Sequence, residues 1–343
     1  MSLNDQELEP TTVEERLLGA DLSRRSLIKR VMAVGLATPA VAGLRHVADP
    51  GPAGPPVTPV QRAGEEAYVL FTSGSTGGPK GVSVSRANVA AYLGHLLTAY
   101  DLNEQDRFTQ FFALTFDLSV HDIFVCWAAG GCLCVPPDDS ALRTATFVRD
   151  ERITVWFSVP SLPALMDRMR GLKPDALPMI RHAFFCGEGL PYDTVRAFAS
   201  AAPNAQLTNL YGPTEAAIAI TSHHIQRNSL DRQGLVPIGK PFPEHQALLD
   251  NEELCVSGPQ ITSGYLDLPE VNANSFADIT GTGERWYRTG DRARMDPDGT
   301  LHYLGRIDHQ VKMAGHRVEP GEVDALLTPM LSGGRAITVP VNE

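Results

Sequence analysis

Residues Tyr68-Val-Leu-Phe-Thr-Ser-Gly-Ser-Thr-Gly-Gly-Pro-Lys80-Gly81 constrain the fold more than any other stretch. An apolar strand, Tyr68 to Phe71, runs directly into hydroxyls and glycines. Thr72, Ser73, Ser75 and Thr76 offer side-chain donors. Gly74, Gly77, Gly78 and Gly81 let backbone amides turn toward an anion. Lys80 adds a positive charge suited to phosphate. A strand that opens into such a loop reads as a nucleotide-phosphate cradle; a flexible glycine-serine turn is the plainer reading. It is not the P-loop pattern, because Pro79 precedes the lysine and Gly81 stands where that pattern has Ser or Thr.

The chain has 343 residues, which suggests two or three structural units. Its hydrophobic share of 43% suffices for a globular core. A net charge of −11 argues against general nucleic-acid binding and is compatible with a soluble cytoplasmic enzyme. The cysteines are Cys126, Cys132, Cys134, Cys186 and Cys255, none in a CxxC pair and most inside apolar runs. They read as buried reduced thiols rather than disulfides or zinc ligands.

The first sixty or so residues differ from the rest. Ser23-Arg24-Arg25-Ser26-Leu27-Ile28-Lys29 resembles a twin-arginine export motif, and Ala40-Val41-Ala42 has the small-x-small form of a cleavage site. A basic helix that only looks like a signal is the other reading. Chemistry favours a cytoplasmic location, because nothing outside the membrane supplies ATP. Asp49-Pro-Gly-Pro-Ala-Gly-Pro-Pro56 reads as a linker. The expected division is a signal-like segment and linker over 1–62, a core over 63–307 and the start of a further unit over 308–343.

Ser85 is positioned to cap a helix whose one face carries Val89, Leu93, Leu96, Leu97 and Tyr100. Strand candidates follow at Cys132 to Val135, Val155 to Val159 and His182 to Cys186, separated by helical stretches such as Pro160 to Met169 and Tyr192 to Ala201. This alternation predicts an α/β fold with a largely parallel sheet. From about Asp231 the texture turns to glycine-punctuated β runs, among them Glu253 to Ser257 and Thr300 to Leu304.

Three further motifs follow the loop. Asn209-Leu-Tyr-Gly-Pro-Thr-Glu215 combines an aromatic ring, a tight turn, a hydroxyl and a carboxylate that suits Mg²⁺. Trp286-Tyr-Arg-Thr-Gly-Asp291 puts a carboxylate at a glycine turn, where it suits a ribose diol. Gly305-Arg306-Ile-Asp308 leads into Lys312 and Arg317.

In this order the motifs resemble the adenylate-forming superfamily, and within it the amino-acid adenylation domains of nonribosomal peptide synthetases and free-standing D-alanine–carrier-protein ligases. The resemblance runs from about Glu66 to Leu327. It implies a large α/β N-terminal domain, here partial, with parallel sheets, a β-rich subdomain and the start of a small C-terminal lid. It implies a ligase that joins an amino-acid carboxylate to ATP with Mg²⁺ and passes the acyl group to a carrier protein's phosphopantetheine thiol. By the resemblance, Thr72, Ser73, Gly74, Ser75, Thr76, Gly77 and Lys80 grip the pyrophosphate side. Asn209 and Tyr211 take the adenine, Gly212 belongs to the same nucleotide site, and Asp291, helped by Arg306, takes the ribose. Thr214, Glu215 and Lys312 form the catalytic set, with Thr214 on the α-phosphate, Glu215 on Mg²⁺ and Lys312 near the acceptor. Asp308 matches the hinge of the lid.

The aspartate of Phe116-Asp-Leu-Ser-Val120 matches the family's partner for an α-ammonium; a helix-capping aspartate is the plainer reading. Leu118, His121, Ser158, Phe184, Cys186, Leu210, Ile218 and Ala219 are implied to line the side-chain pocket. None brings a fixed charge except a protonated His121, so a small to medium uncharged amino acid is expected. Against the family, the chain is short at both ends, Ala314 stands where many members have arginine, and no lysine follows Glu319. The resulting expectation is nucleotide binding with slow adenylation, and a partner that supplies the lid. The alternative is a non-catalytic module that keeps ATP or carrier-protein affinity.

Overall fold

The computed structural model describes residues 65–72, 79–137, 143–308, 310–313 and 316–318. The signal-like segment and linker lie outside the described residues, as does everything expected of a lid beyond Val318. Strands β1 (Glu66–Thr72) and β2 (Lys80–Ser85) form an antiparallel hairpin in which Thr72 pairs with Lys80. That register sets Lys80 at the foot of the glycine-rich loop. Ser85 then caps the helix Arg86–Ala99 through a reciprocal box with Asn88, as its hydroxyl and position predict. The buried face of this helix carries Asn88, Val89, Tyr92 and Leu96. Tyr92 and Asn88 were not on the expected stripe; Leu97 is only half-buried.

The main sheet contains β3 (Arg107–Thr109), β4 (Cys132–Cys134), β5 (Val155–Ser158), β6 (His182–Phe185), β7 (Gln206–Tyr211), β8 (Thr221–Ile225) and β9 (Lys240–Pro241). Their order is β4-β3-β5-β6-β7-β8-β9. The first five in that order are parallel, and β8 and β9 run antiparallel to their neighbours. Parallel neighbours need crossovers, and the helices Thr144–Asp150, Ser161–Arg168 and Tyr192–Ala201 provide them. The last of these buries Tyr192, Val195 and Ala199, which share one face at helical spacing. Both faces of the sheet are covered. Val155, Phe157 and Phe184 join one apolar cluster while Trp156, Ala183 and Phe185 join another. Side chains alternate across a strand, so burial of both faces explains why these strands read as unbroken apolar runs.

A second, antiparallel sheet follows: β10 (Gln246–Asp250), β11 (Glu253–Ser257), β12 (Phe276–Ala277), β13 (Trp286–Met295) and β14 (Leu301–Arg306). Its order is β10-β11-β13-β12, with β14 also on β13. The short hairpin of β15 (Val311–Met313) and β16 (His316–Val318) comes last. The α/β expectation and the change of texture near Asp231 both correspond to this architecture. All five cysteines are free, as expected, with Cys132 half-buried and the others buried. Among the described residues no helix is long and apolar enough to cross a membrane.

Candidate functional site

The ends of β7, β13 and β14 converge. Tyr211 closes β7, Asp291 lies in β13 and Arg306 ends β14. The Tyr211 hydroxyl donates to Asp291 Oδ2 at 2.5 Å, and Arg306 Nη1 donates to Asp291 Oδ1 at 2.9 Å. Arg306 also donates to the Thr289 carbonyl at 2.7 Å and forks onto Asp308 at 2.8 and 2.5 Å. The side chains of Asp291 and Arg306 are 3% and 10% exposed, so this is a buried pair rather than a surface one. Burial, then the Asp291 charge, pushes the Tyr211 phenol well above its usual range, which keeps it a donor.

Gly290 makes this approach possible. Its φ is +69°, and a Cβ there would stand 2.6 Å from Arg306 Nη2. Its amide donates to Glu253 Oε1 at 3.0 Å. Gly290→Ala is therefore expected to destabilise the chain by about 2 kcal/mol through left-handed strain and a displaced guanidinium. Urea denaturation of the variant checks this; an unchanged midpoint contradicts it.

Beside the triad lies a cleft of about 420 Å³, counting its solvent-open mouth. Asn209, Tyr211, Gly212, Gly187, Glu188 and Tyr303 are among its lining residues. Asn209 is 2% exposed; its Nδ2 donates to the Pro237 carbonyl, while its Oδ1 has no hydrogen-bond partner among the described residues. A buried acceptor without a donor is costly and suits a ligand's amine. The Cys186-Gly-Glu-Gly189 turn after β6 was not singled out in the sequence. Its signal was a strand running into two glycines around a carboxylate. Glu188 accepts from the Ser161 amide and hydroxyl at 2.9 and 3.2 Å, which ties the turn to the start of the helix Ser161–Arg168.

The cation candidate sits on the turn after β7. Glu215 is fully buried in the short 3₁₀ helix Thr214–Ala216. It accepts from the Tyr265 hydroxyl at 2.6 Å, and Tyr265 lies 3.2 Å from the Tyr287 hydroxyl. Burial, then the charge of Glu215, raises the Tyr265 phenol far beyond its ordinary value. Lys80 Nζ stands 5.3 Å from the centre of the Tyr265 ring. Thus Lys80 and Glu215, far apart in sequence, meet across one aromatic side chain. Tyr265, which links them, was also missed by sequence reading. Its place is fixed by a bridge to Val82 and by the Leu266 amide donating to the Gly81 carbonyl at 2.9 Å.

Among the described residues no three His, Cys, Asp or Glu side chains gather around a metal position. A cation at Glu215 would need further oxygens from substrate phosphates and water, which is how Mg²⁺ is commonly held. A single buried carboxylate, with Lys80 over the ring of the tyrosine that binds it, fits that arrangement. Of the expected loop residues, Thr72 and Lys80 are described, while Ser73, Gly74, Ser75, Thr76 and Gly77 lie outside the described residues. Lys312 falls in β15, and its side chain lies outside them too.

Asp117 is 8% exposed and stands at the start of Leu118–Val120, yet its carboxylate makes no capping bond there. The capping alternative therefore loses its geometry. Its negative charge, second to burial, helps raise the Tyr68 phenol. Leu118, His121, Ser158, Phe184, Cys186, Leu210, Ile218 and Ala219 are all 4% exposed or less. Leu118, Phe184, Cys186, Leu210, Ile218 and Ala219 share one apolar cluster. The His121 ring lies 3.9 Å from Phe157 and 5.6 Å from Phe184. Its Nδ1 is 2.6 Å from the Tyr92 hydroxyl, and burial lowers its pKa to about 3. Burial thus favours the neutral His121 ring near neutrality, which leaves the cluster without a fixed positive charge. The cluster meets the cleft at Leu210, which lines it, and a Cβ on the cleft residue Gly187 would lie 3.3 Å from Leu118.

A family model described as AMP-binding enzyme matches residues 9–266, which takes in most of the stretch ahead of the loop. The L-proline–[L-prolyl-carrier protein] ligase of Pseudomonas fluorescens is 34% identical over 92% of this chain. The D-alanine–D-alanyl carrier protein ligase of Lactiplantibacillus plantarum is 33% identical over 80% of it. The chain spans 64% and 56% of these two relatives. Among solved structures, the Vibrio cholerae adenylation domain AlmE with glycyl-adenosine-5'-phosphate aligns with a TM-score of 0.73 and 38% identity. That alignment covers 79% of this chain and 53% of AlmE. Motif order, sheet topology and these matches agree: the chain belongs to the AMP-binding enzyme family of adenylate-forming proteins.

Proposed function

We propose that this chain activates an α-amino acid as its aminoacyl adenylate for transfer to a carrier-protein phosphopantetheine thiol. The observation that carries the reading is the Tyr211–Asp291–Arg306 triad at the rim of a cleft lined by Asn209. Adenine would place its exocyclic amine on Asn209 Oδ1, the acceptor that lacks a donor. Asp291 would take the ribose hydroxyls, with Arg306 holding its carboxylate in place. In the first step a carboxylate oxygen attacks the α-phosphorus and pyrophosphate leaves. Lys80 would neutralise charge on the departing phosphates, and Thr214 would donate to the α-phosphate. Mg²⁺, held by Glu215 and phosphate oxygens, would supply further neutralisation of that charge. In the second step the carrier thiolate attacks the acyl carbon and AMP leaves.

Buried Asp117 would pair with the substrate ammonium. The uncharged cluster beside it supports a small or medium neutral side chain, because a buried charge without a partner is expensive. The carrier-protein ligases among the relatives and the glycyl adenylate in AlmE support the same substrate class.

Exchange of labelled pyrophosphate into ATP tests the reading. It is expected to rise above background with a neutral amino acid and to stay at background with arginine, glutamate or a fatty acid. ATP binding without exchange for any amino acid would instead support the non-catalytic alternative. Lys80→Ala should weaken ATP binding about tenfold, about 1.4 kcal/mol. Calorimetry checks it, and equal affinities in parent and variant would remove Lys80 from the phosphate site.

A further inference from the structure

Three strands of observation meet at Gln260, a residue outside the sequence motifs. It is fully buried. Its Nε2 lies 3.0 Å from the Ala216 carbonyl, 3.0 Å from that of Ala217 and 2.7 Å from that of Ala219. Three carbonyl oxygens around one atom require a donor there, so the amide nitrogen must face the turn.

The turn itself is strained. Ala217 and Ile218 have φ of +50° and +80°. For a β-branched residue such as Ile218 this is a true outlier, and it persists only where the surroundings hold it. Nor does water satisfy these carbonyls: Ala216, Ala217 and Ala219 are fully buried. The turn is also pinched at its base, where a Cβ on Gly212 would lie 2.5 Å from Ala219 Cα.

Glu215 immediately precedes this turn, and one short segment holds it at three levels. The Tyr265 hydroxyl binds its carboxylate at 2.6 Å, and the Thr262 amide donates to its carbonyl at 3.0 Å. Gln260 donates to three of the carbonyls that follow, those of Ala216, Ala217 and Ala219. We infer that Gln260 is a positioning residue for Glu215: its side-chain amide clamps the left-handed turn at 216–219 and so aims the carboxylate at the cation and phosphates. This rests on the proposed role of Glu215 as the residue that holds the nucleotide's cation. Groups that orient a metal-binding carboxylate commonly change metal affinity tenfold or more when removed.

The test uses the full chain with ATP and Mg²⁺ as probes, and compares Gln260→Met with Gln260→Lys. Methionine keeps the volume and loses the donors; lysine keeps donors for the carbonyls. In Gln260→Met, backbone amides at 216–219 are expected to exchange with solvent faster. The Mg²⁺ concentration for half-maximal ATP binding should rise about tenfold, with binding in EDTA unchanged. Gln260→Lys is expected to restore slow exchange at 216–219, which a merely space-filling role would not produce. Should Gln260→Met not fold, the parent alone decides: the Gln260 side-chain amide protons must exchange slowly. Fast exchange of those protons, or a Met variant that matches the parent in both readouts, overturns the inference. If the parent binds no ATP, the functional reading fails, and the role of Gln260 fails with it. If the parent binds and the Met variant matches it, only the role of Gln260 fails.

Discussion

Asp291→Ala is expected to abolish measurable ATP binding and to lower folding stability by about 3 kcal/mol. Removing one member of a buried ion pair leaves the other charge out of water, which typically costs about 3–5 kcal/mol. The lower end applies because Arg306 keeps Asp308 and the Thr289 carbonyl. The buried Tyr211 hydroxyl also loses its acceptor. Asp291→Asn keeps an acceptor for Tyr211 and should recover part of the stability without restoring nucleotide affinity. Urea denaturation and calorimetric titration read the two effects separately. A stability loss below about 1 kcal/mol with ATP affinity retained would mean that the triad is neither the structural nor the binding element assigned to it.

Glu215→Gln separates chemistry from packing. The amide fills the same space, and its oxygen still accepts from Tyr265, so stability should change by less than about 1 kcal/mol. The charge that suits a hard cation is gone. Mg²⁺-dependent ATP affinity is expected to fall at least tenfold, and any pyrophosphate exchange by about a hundredfold. ATP binding in EDTA should not move. Equal Mg²⁺ dependence in parent and variant would take the cation away from Glu215.

The fold was legible where burial leaves a direct mark on composition. Runs such as Val155 to Ser158 are apolar throughout because both faces of the sheet are covered, and these gave strands close to their expected limits. Ser85 announced a helix start because its hydroxyl has one obvious task there. The stripe on that helix was harder to read. Tyr92 is buried because its hydroxyl finds His121, a partner twenty-nine positions away that no local pattern reveals.

The site divides along the same line. Asn209, Tyr211, Asp291, Arg306 and Lys80 stand in motifs whose residue types are unusual for a plain turn, and they could be picked out singly. That Tyr211 donates to Asp291, and that Lys80 and Glu215 both contact Tyr265, depends on how distant strands and loops meet. Tyr265 and Gln260 lie in a segment that reads as an ordinary glycine turn, and their roles come from tertiary contacts alone. The left-handed Ile218 is of the same kind: local preference opposes its conformation, and only the surrounding clamp explains it.

The most direct test of the account is the binding of a non-reactive aminoacyl adenylate mimic, alanyl- or glycyl-sulfamoyladenosine, to the full chain. On the proposed reading such a molecule would span the cleft at Asn209 and the cluster beside Asp117, and so would engage both halves of the proposed site at once. The account predicts one-to-one calorimetric binding at least a hundredfold tighter than AMP, about 2.7 kcal/mol, with the gain lost in Asp117→Ala and all binding lost in Asp291→Ala. No binding to the folded parent, or affinity no better than that of AMP alone, would contradict it.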